Sequence, residues 1–378
     1  MPWENVTVIE KREEFVVLAS KEGANVSGLC RRFGISRKTG YKWLGRYESG
    51  RTDALLDRSR RPHHSPRIST TGVEEAVLAM RHKHPAWGGR KISHVLARDR
   101  QQNVAPSTVT AILHRHDLID PAASTAATPW KRFEHAQPNQ LWQMDFKGHF
   151  AVGKRRCHPL TVIDDHSRYN LVLAACENER RGTVQAALER TFARYGLPQR
   201  INTDNGSPWG TAGQAGLTGL AVWLIRLGII LSHSRPLHPQ TNGKDERFHR
   251  SLKAEVLALR QFDDLEQVQT EFDRWRLVYN RERPHEALSM QAPADRYRPS
   301  ARSMLPSLPG IEYGPDDVVR KVQQGGWISW QGWNIRVSKA LVGQPIALRP
   351  SLTDDGIYNV YFCHQHLNSL DLMSLDAD

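Results

Sequence analysis

Leu141-Trp142-Gln143-Met144-Asp145-Phe146 reads as a strand of a buried sheet, apart from one residue. Trp142 and Met144 define its apolar face, and Asp145 sits where an unpaired carboxylate is costly. Two other stretches end in acids of similar interest. Ile201-Asn202-Thr203-Asp204-Asn205-Gly206 puts Asp204 at the end of a second strand-like run, at the edge where open α/β sheets place ligands. His238-Pro239-Gln240-Thr241-Asn242-Gly243-Lys244-Asp245-Glu246 is a polar, glycine-containing loop that opens a helix with Glu246 in its first turn.

Taken singly, each acid is ordinary. Asp-Asn-Gly is common turn chemistry, and Asp164-Asp165 resembles a hairpin tip. Acids delivered from two strand ends and a helix start can nevertheless converge and hold hard divalent cations through oxygen. Two such ions about 3.5–4 Å apart can clamp the attacking and leaving oxygens of an in-line phosphoryl displacement.

Charge points to the same kind of partner. The 378 residues carry a formal +12, distributed as +6 over 1–70, +3 over 71–140, +7 over 141–260 and −4 over 261–378. The segment bearing the three acids is therefore itself basic, as a polyanionic partner would require. Solubility alone is the bland alternative. Cys30, Cys157, Cys176 and Cys363 are scattered with no C-x-x-C pair, which argues against a disulfide framework or a thiolate zinc site. Close histidine pairs, such as His82/His84, read as surface or DNA-facing groups. No apolar run approaches membrane-spanning length, and Met1 to Glu10 does not resemble a secretory leader, so no membrane partner is expected.

The length predicts several domains. Residues 1–48 read as a helix-turn-helix unit: Gly34 stops a helical run, Ser36 is an N-cap, and Arg37, Lys38, Thr39 and Lys42 face a major groove. Any small three-helix bundle would show much of the same pattern. Residues 49–69 form a basic linker whose Arg58, Arg60 and Arg61 suit phosphates or a minor groove. Residues 70–120 form a second helix-turn-helix-like unit, with Ser107, Thr108 and Thr110 on a capped third helix. A linker follows at 121–139. From 140 to 262 strands and helices predict a mixed sheet with helices on its faces. Residues 263–300 extend it helically, and short glycine-broken strands over 301–378 predict a small β-barrel.

The three acid blocks resemble those of bacterial insertion-sequence transposases in the retroviral-integrase-like DDE superfamily. Trp142-Gln143-Met144-Asp145, Thr203-Asp204-Asn205-Gly206 and His238 to Glu246 match its catalytic blocks in order. Tyr279-Asn280, Arg283-Pro284-His285-Glu286-Ala287-Leu288 and Pro293-Ala294 with Arg296-Tyr297 match the helix and tail beyond them. The resemblance covers roughly residues 20–300. It implies an α/β RNase H-like core, two Mg²⁺ or Mn²⁺ ions, and catalytic and metal-binding roles for Asp145, Asp204 and Glu246. It implies DNA partners (inverted-repeat ends and a target), a homodimer or larger assembly, and the bacterial cytoplasm. The 41 residues between Asp204 and Glu246 exceed the spacing of the retroviral type, with the excess in a loop over Ser207 to Gly219. Asp245 is the residue most easily mistaken for the third acid; the block favours Glu246. Lys244, Arg247 and Arg250 flank it and suit a phosphate backbone, or else a solvated helix face. A non-catalytic DNA-binding regulator and a hydrolytic RNase H-like nuclease are the competing classes. The absence of G-x-x-x-x-G-K-[ST] fits chemistry that needs no nucleotide.

Overall fold

A computed structural model describes residues 7–47, 52–57, 69–119, 134–210, 216–233 and 243–372. The chain divides into two compact units, residues 1–68 and 69–378.

In the first unit, α1 (Val8–Ala19), α2 (Val26–Arg32) and α3 (Arg37–Tyr47) enclose Phe15, Val16, Cys30 and Trp43. Gly34 carries the positive φ of 67° that turns α2 into α3. Ser36 caps α3, accepting from the Thr39 amide at 3.1 Å.

The second unit begins with α4 (Thr71–Lys83), α5 (Gly89–Arg100) and α6 (Pro106–Arg115), packed around Val77, Trp87, Ile92, Leu96, Val109 and Leu113. Helix α6 starts on Pro106 at its first turn, and Ala105 supplies no side-chain cap. A Cβ on Gly89 would meet the Pro106 carbonyl at 2.6 Å and the Thr110 hydroxyl, so α5 and α6 touch backbone to backbone. His84 does not face solvent: it stacks on Trp87 at 3.8 Å between ring centroids.

The core is built on β1 (Leu141–Phe146), β2 (Phe150–Val152), β3 (Arg155–Asp164), β4 (Asn170–Cys176), α7 (Arg181–Tyr195), β5 (Arg200–Thr203), α8 (Gly219–Arg226) and β6 (Ile230–His233). The strand order is β2-β3-β1-β5-β6, with β4 also paired on β3. β1 runs antiparallel to β3 and parallel to β5. Alternation along β1 decides what covers each side. Trp142 and Met144 join Leu160, Val162 and Ile201 in a layer beneath α7 and α8. On the opposite side, Ile163 and Leu173 pack with Phe248, Phe272, Trp275 and Tyr279. Those residues belong to α9 (Gly243–Leu252) and α10 (Leu265–Arg281). α9 ends in a π-helical turn, Lys253–Leu257.

The blocks after residue 279 fasten this layer. Asn280 accepts from the Asn170 amide at 2.8 Å and donates to its carbonyl at 2.9 Å, capping the open edge of β4. Arg283 pairs with Glu255 at 3.0 Å, and Glu255 also accepts from Trp275 Nε1 at 2.8 Å. α11 (Pro293–Arg296) turns the chain so that Tyr297 and Trp142 both donate to Asn139 Oδ1, each at 3.0 Å.

The C-terminal strands form an antiparallel β domain, as expected, with residues of its sheet and its hairpin sharing one core. β7 (Val318–Lys321), β10 (Pro345–Pro350), β11 (Ile357–Phe362) and β12 (Gln365–Asp371) pair in the order β12-β11-β10-β7. β8 (Trp327–Trp330) and β9 (Trp333–Arg336) form a separate hairpin, so the described strands do not close a ring. The turn at Gln331-Gly332, both at positive φ, returns β9 onto β8.

Arg283 and Glu255 are 10% and 6% exposed, so removing one partner strands a buried charge. Arg283→Met is expected to lose about 3 kcal/mol in a denaturant melt. Adding Glu255→Gln to it should recover part of that loss.

Candidate active site

Register brings the first two acids level. Gln143 on β1 pairs with Asn202 on the parallel β5, so Asp145 and Asp204 each lie two residues further on in the same direction. Across the antiparallel pair, Asp145 faces Thr161, which places that hydroxyl on the same side of the sheet. The first turn of α9 lies over this side, with Asp245, Phe248 and Leu252 buried at helical spacing. Phe248 is wedged edge-on against Trp275 and Tyr279, at 5.3 and 4.8 Å.

Electrostatics show which acids act on the two inner carboxyls, Asp145 and Asp245. Burial pushes the Asp145 carboxyl up to about 7; the charge of Asp204 adds to this, with smaller contributions from Glu179 and Glu246. Asp245 is raised well above the carboxylate range, first by complete burial and then by Asp145. The Thr161 hydroxyl opposes that shift, while Asp204 and Glu246 reinforce it. His249, one turn on, is depressed to about 3 by burial and by Lys147, so its ring is neutral near pH 7. One ligand atom from each of Asp145, Asp245 and His249 lies within 4.8 Å of the others, a group able to hold a metal ion.

Each residue singled out by sequence has a place. Asp145 is half-buried at the sheet, Asp204 is exposed beyond β5, and Glu246 is exposed on the first turn of α9. Arg37, Lys38 and Lys42 are exposed on α3, with the Lys42 ammonium 4.1 Å from the centre of the Trp43 ring. Ser36 and Thr39 are engaged in capping that helix. Arg58, Arg60 and Arg61 lie outside the described residues. On α6, Ser107 is exposed and Thr108 half-buried, whereas Thr110 is turned to α5 and donates to the Pro106 carbonyl at 2.8 Å. Lys244 also departs from its expected role: it points inward, ion-paired to the buried Asp165. Arg247 and Arg250 remain exposed on α9. Sequence reading passed over Thr161 and His249. The i, i+4 spacing of Asp245 and His249 on a helix was the available signal.

Comparisons with known proteins agree with this architecture. Residues 135–239 and 227–293 match two family models, each described as an integrase core domain. Residues 317–377 match the C-terminal domain of the IS481 family transposases. A homeodomain-like model matches 39–113 and a helix-turn-helix model 11–63. Curated relatives include the 39.2 kDa protein of insertion element IS476 from Xanthomonas euvesicatoria, 25% identical over 65% of this chain and 71% of its own length. Another is the 31.7 kDa protein of insertion element IS407 from Burkholderia multivorans, 28% identical over 42% of this chain and 55% of its own. Among solved structures, a simian T-cell lymphotropic virus intasome chain aligns with TM-score 0.39 and 15% identity, over 77% of this chain and 94% of that one. The HTLV-2 integrase catalytic core solved with magnesium aligns with TM-score 0.30 and 19% identity, over 42% and 96%.

The family matches identify an enzyme of the integrase-like DDE class, the polynucleotidyl transferases. More narrowly, the chain is similar to insertion-sequence transposases: residues 317–377 match the C-terminal domain of the IS481 family, and the curated relatives are insertion-element proteins. Among the described residues no helix is long and apolar enough to cross a membrane.

The raised Asp145 pKa sets a pH dependence with a definite sign. Between about pH 4 and 7 the folded state holds a proton there that the unfolded chain has lost, so metal-free stability falls as pH rises. His249, depressed, acts in the opposite direction below about pH 6.5, so a variant pair is needed to separate the two. In EDTA, the Tm of Asp145→Asn should exceed that of wild type at pH 8. The gap should narrow steadily toward pH 4.

Proposed function

We propose that the protein binds the terminal inverted repeats of a mobile element, cleaves a phosphodiester at each end and joins the freed 3′-hydroxyls to target DNA. The observation that carries this reading is that the charges of Asp204 and Glu246 both reach the half-buried Asp145 carboxyl, which the β1–β5 register sets level with Asp204. Acids crowded this way fit divalent cations, since each raises the energy of the others' charged form until a cation offsets it.

Asp145, Asp204 and Glu246 are the residues that would hold two Mg²⁺ or Mn²⁺ ions. Bound there, the ions would supply a nucleophile at neutral pH and stabilise the leaving oxygen. The residues of the chain do the rest. Asp145, fixed by the register of β1 on β3 and β5, sets the position of the reacting phosphate. Glu246, carried on α9, closes the other side. Arg247 and Arg250, exposed beside it, suit the flanking phosphate backbone. One phosphodiester replaces another, so no nucleotide hydrolysis is required. The exposed Arg37, Lys38 and Lys42 of α3 would read the element ends, and a dimer or larger assembly would hold two ends together.

Strand transfer on labelled end oligonucleotides tests this directly. Activity should require Mg²⁺ or Mn²⁺ and vanish in EDTA. Asp145→Asn, Asp204→Asn and Glu246→Gln should each lose at least about 100-fold, as removal of a metal-positioning group does. Full joining by Asp204→Asn would overturn the assignment. For end recognition, Lys38→Ala and Lys42→Ala should each reduce the slope of log K against log salt by about 1, measured by fluorescence anisotropy.

A further inference from the structure

Asp245 has no exposed surface, and its Oδ2 has no hydrogen-bond partner among the described residues. Its other oxygen lies 3.0 Å from the Thr161 hydroxyl. That hydroxyl is also 3.0 Å from the Asp145 carbonyl oxygen and 2.8 Å from His249 Nε2. A hydroxyl carries one proton, so it can satisfy one of the two oxygen acceptors and not both. Gln143, on the same side of β1 as Asp145, also has an unpartnered buried Oε1, its amide nitrogen being taken by Asp165 at 2.8 Å. Acceptors therefore outnumber donors behind Asp145, around an Asp245 carboxyl with no exposed surface. Positive charge is what this arrangement lacks.

His249 decides which charge fits. It follows Asp245 by four residues on one face of α9, and its Nε2 lies 3.6 Å from Asp245 Oδ1. Two carboxylates and an imidazole, with ligand atoms within 4.8 Å of one another, form a mixed oxygen and nitrogen set. Around an ion with bonds of about 2.1 Å, neighbouring ligands stand about 3 Å apart and opposite ones about 4.2 Å, so ligand atoms within 4.8 Å of one another close onto an ion by shifts of at most about 2 Å. Imidazole is a poor ligand for Mg²⁺ and a good one for transition ions.

We propose that Asp245 and His249 join Asp145 in a cation subsite of their own, inward of the Asp204 and Glu246 side chains and selective for Mn²⁺ over Mg²⁺. Thr161 orients the set by bridging the strand to the helix. The proposal rests on the reading that Asp145 holds a divalent ion, and it adds two ligands and a metal preference to that reading.

The test is Mn²⁺ binding to the full chain without DNA, after chelation and dialysis, followed by the electron paramagnetic resonance signal of free Mn²⁺. Wild type and Glu246→Gln should share one class of site of equal affinity. Asp245→Asn and His249→Gln should weaken that class at least about tenfold. Mg²⁺ should displace Mn²⁺ from it only in large excess. A second readout is thermal: in EDTA, Asp245→Asn should melt above wild type, because the cost of burying an acid that ionises in the unfolded chain has gone, and added Mn²⁺ should no longer raise its Tm. His249→Gln can still hydrogen-bond to Thr161, so it carries the test if Asp245→Asn fails to fold. Wild-type Mn²⁺ affinity in His249→Gln, or loss of the class in Glu246→Gln instead, overturns the proposal. Failure of the transposition reading would look different: strand transfer would survive Asp204→Asn and Glu246→Gln whatever the Mn²⁺ count.

Discussion

Negative charge pressed onto the middle of a sheet is the constraint around which this fold is arranged. β1 lies between an antiparallel and a parallel neighbour, and each contributes something different. The parallel neighbour delivers Asp204 level with Asp145, as no hairpin partner would do. The antiparallel neighbour sets the Thr161 hydroxyl directly across from Asp145. A helix carrying two more acids, Asp245 and Glu246, must then be held against that side despite like-charge repulsion. Aromatic packing supplies the opposing force: Phe248, between those acids and Leu252, is locked edge-on to Trp275 and Tyr279.

Residues beyond the acids serve that clamp. Asn280 satisfies the edge of β4, Arg283 and Glu255 tie α10 to the π-helical turn after α9, and Tyr297 reaches Asn139 alongside Trp142 at the start of β1. The conspicuous Tyr279-Asn280 and Arg283 to Leu288 blocks are thus scaffolding that fixes where α9 sits. The second helical unit is attached to the same segment. Lys83 pairs with Glu282, Arg90 with Glu286, and Val278 of α10 packs against the helical core. Exposed pairs like these contribute little energy individually. The buried apolar contact is the firmer part of the joint.

Much of this is legible in the sequence because it rests on period and punctuation. Trp142 and Met144 alternate with Gln143 and Asp145, so the pattern alone assigns the two faces of β1. The strand end at Thr203 and the helix start at Gly243 follow from the same reasoning, whereas the apolar run from Trp142 to Phe150 reads as one strand and the fold divides it into β1 and β2. What is not legible depends on register and on rotation about a helix axis. Thr161 looks like any strand threonine until the β1–β3 register sets it opposite Asp145. Lys244 reads as a phosphate contact or a solvated helix face, and Asp245 as a neighbour of the third acid, yet both point inward, because the hydrophobic stripe through Phe248 and Leu252 fixes which side of α9 faces the sheet. The C-terminal strands are visible one by one, but their order β12-β11-β10-β7 is a long-range pairing that local pattern does not encode. There β12 escapes the pattern, because Gln365 to Asp371 alternates too weakly to register as a strand.

Adjacent residues on α9 end in unlike surroundings. A helix advances about 100° per residue, so Asp245 and Glu246 cannot face the same way. Packing settles the division: the stripe that buries Phe248 also buries Asp245, and Glu246 is left exposed. The buried acid is thereby coupled to the fold and the exposed one to whatever approaches from solvent. Any cation that enters this site binds the folded state and not the unfolded chain, so its binding energy adds to stability. An active site overloaded with acceptors is then less a flaw in the core than a demand for a cation written into the packing of α9.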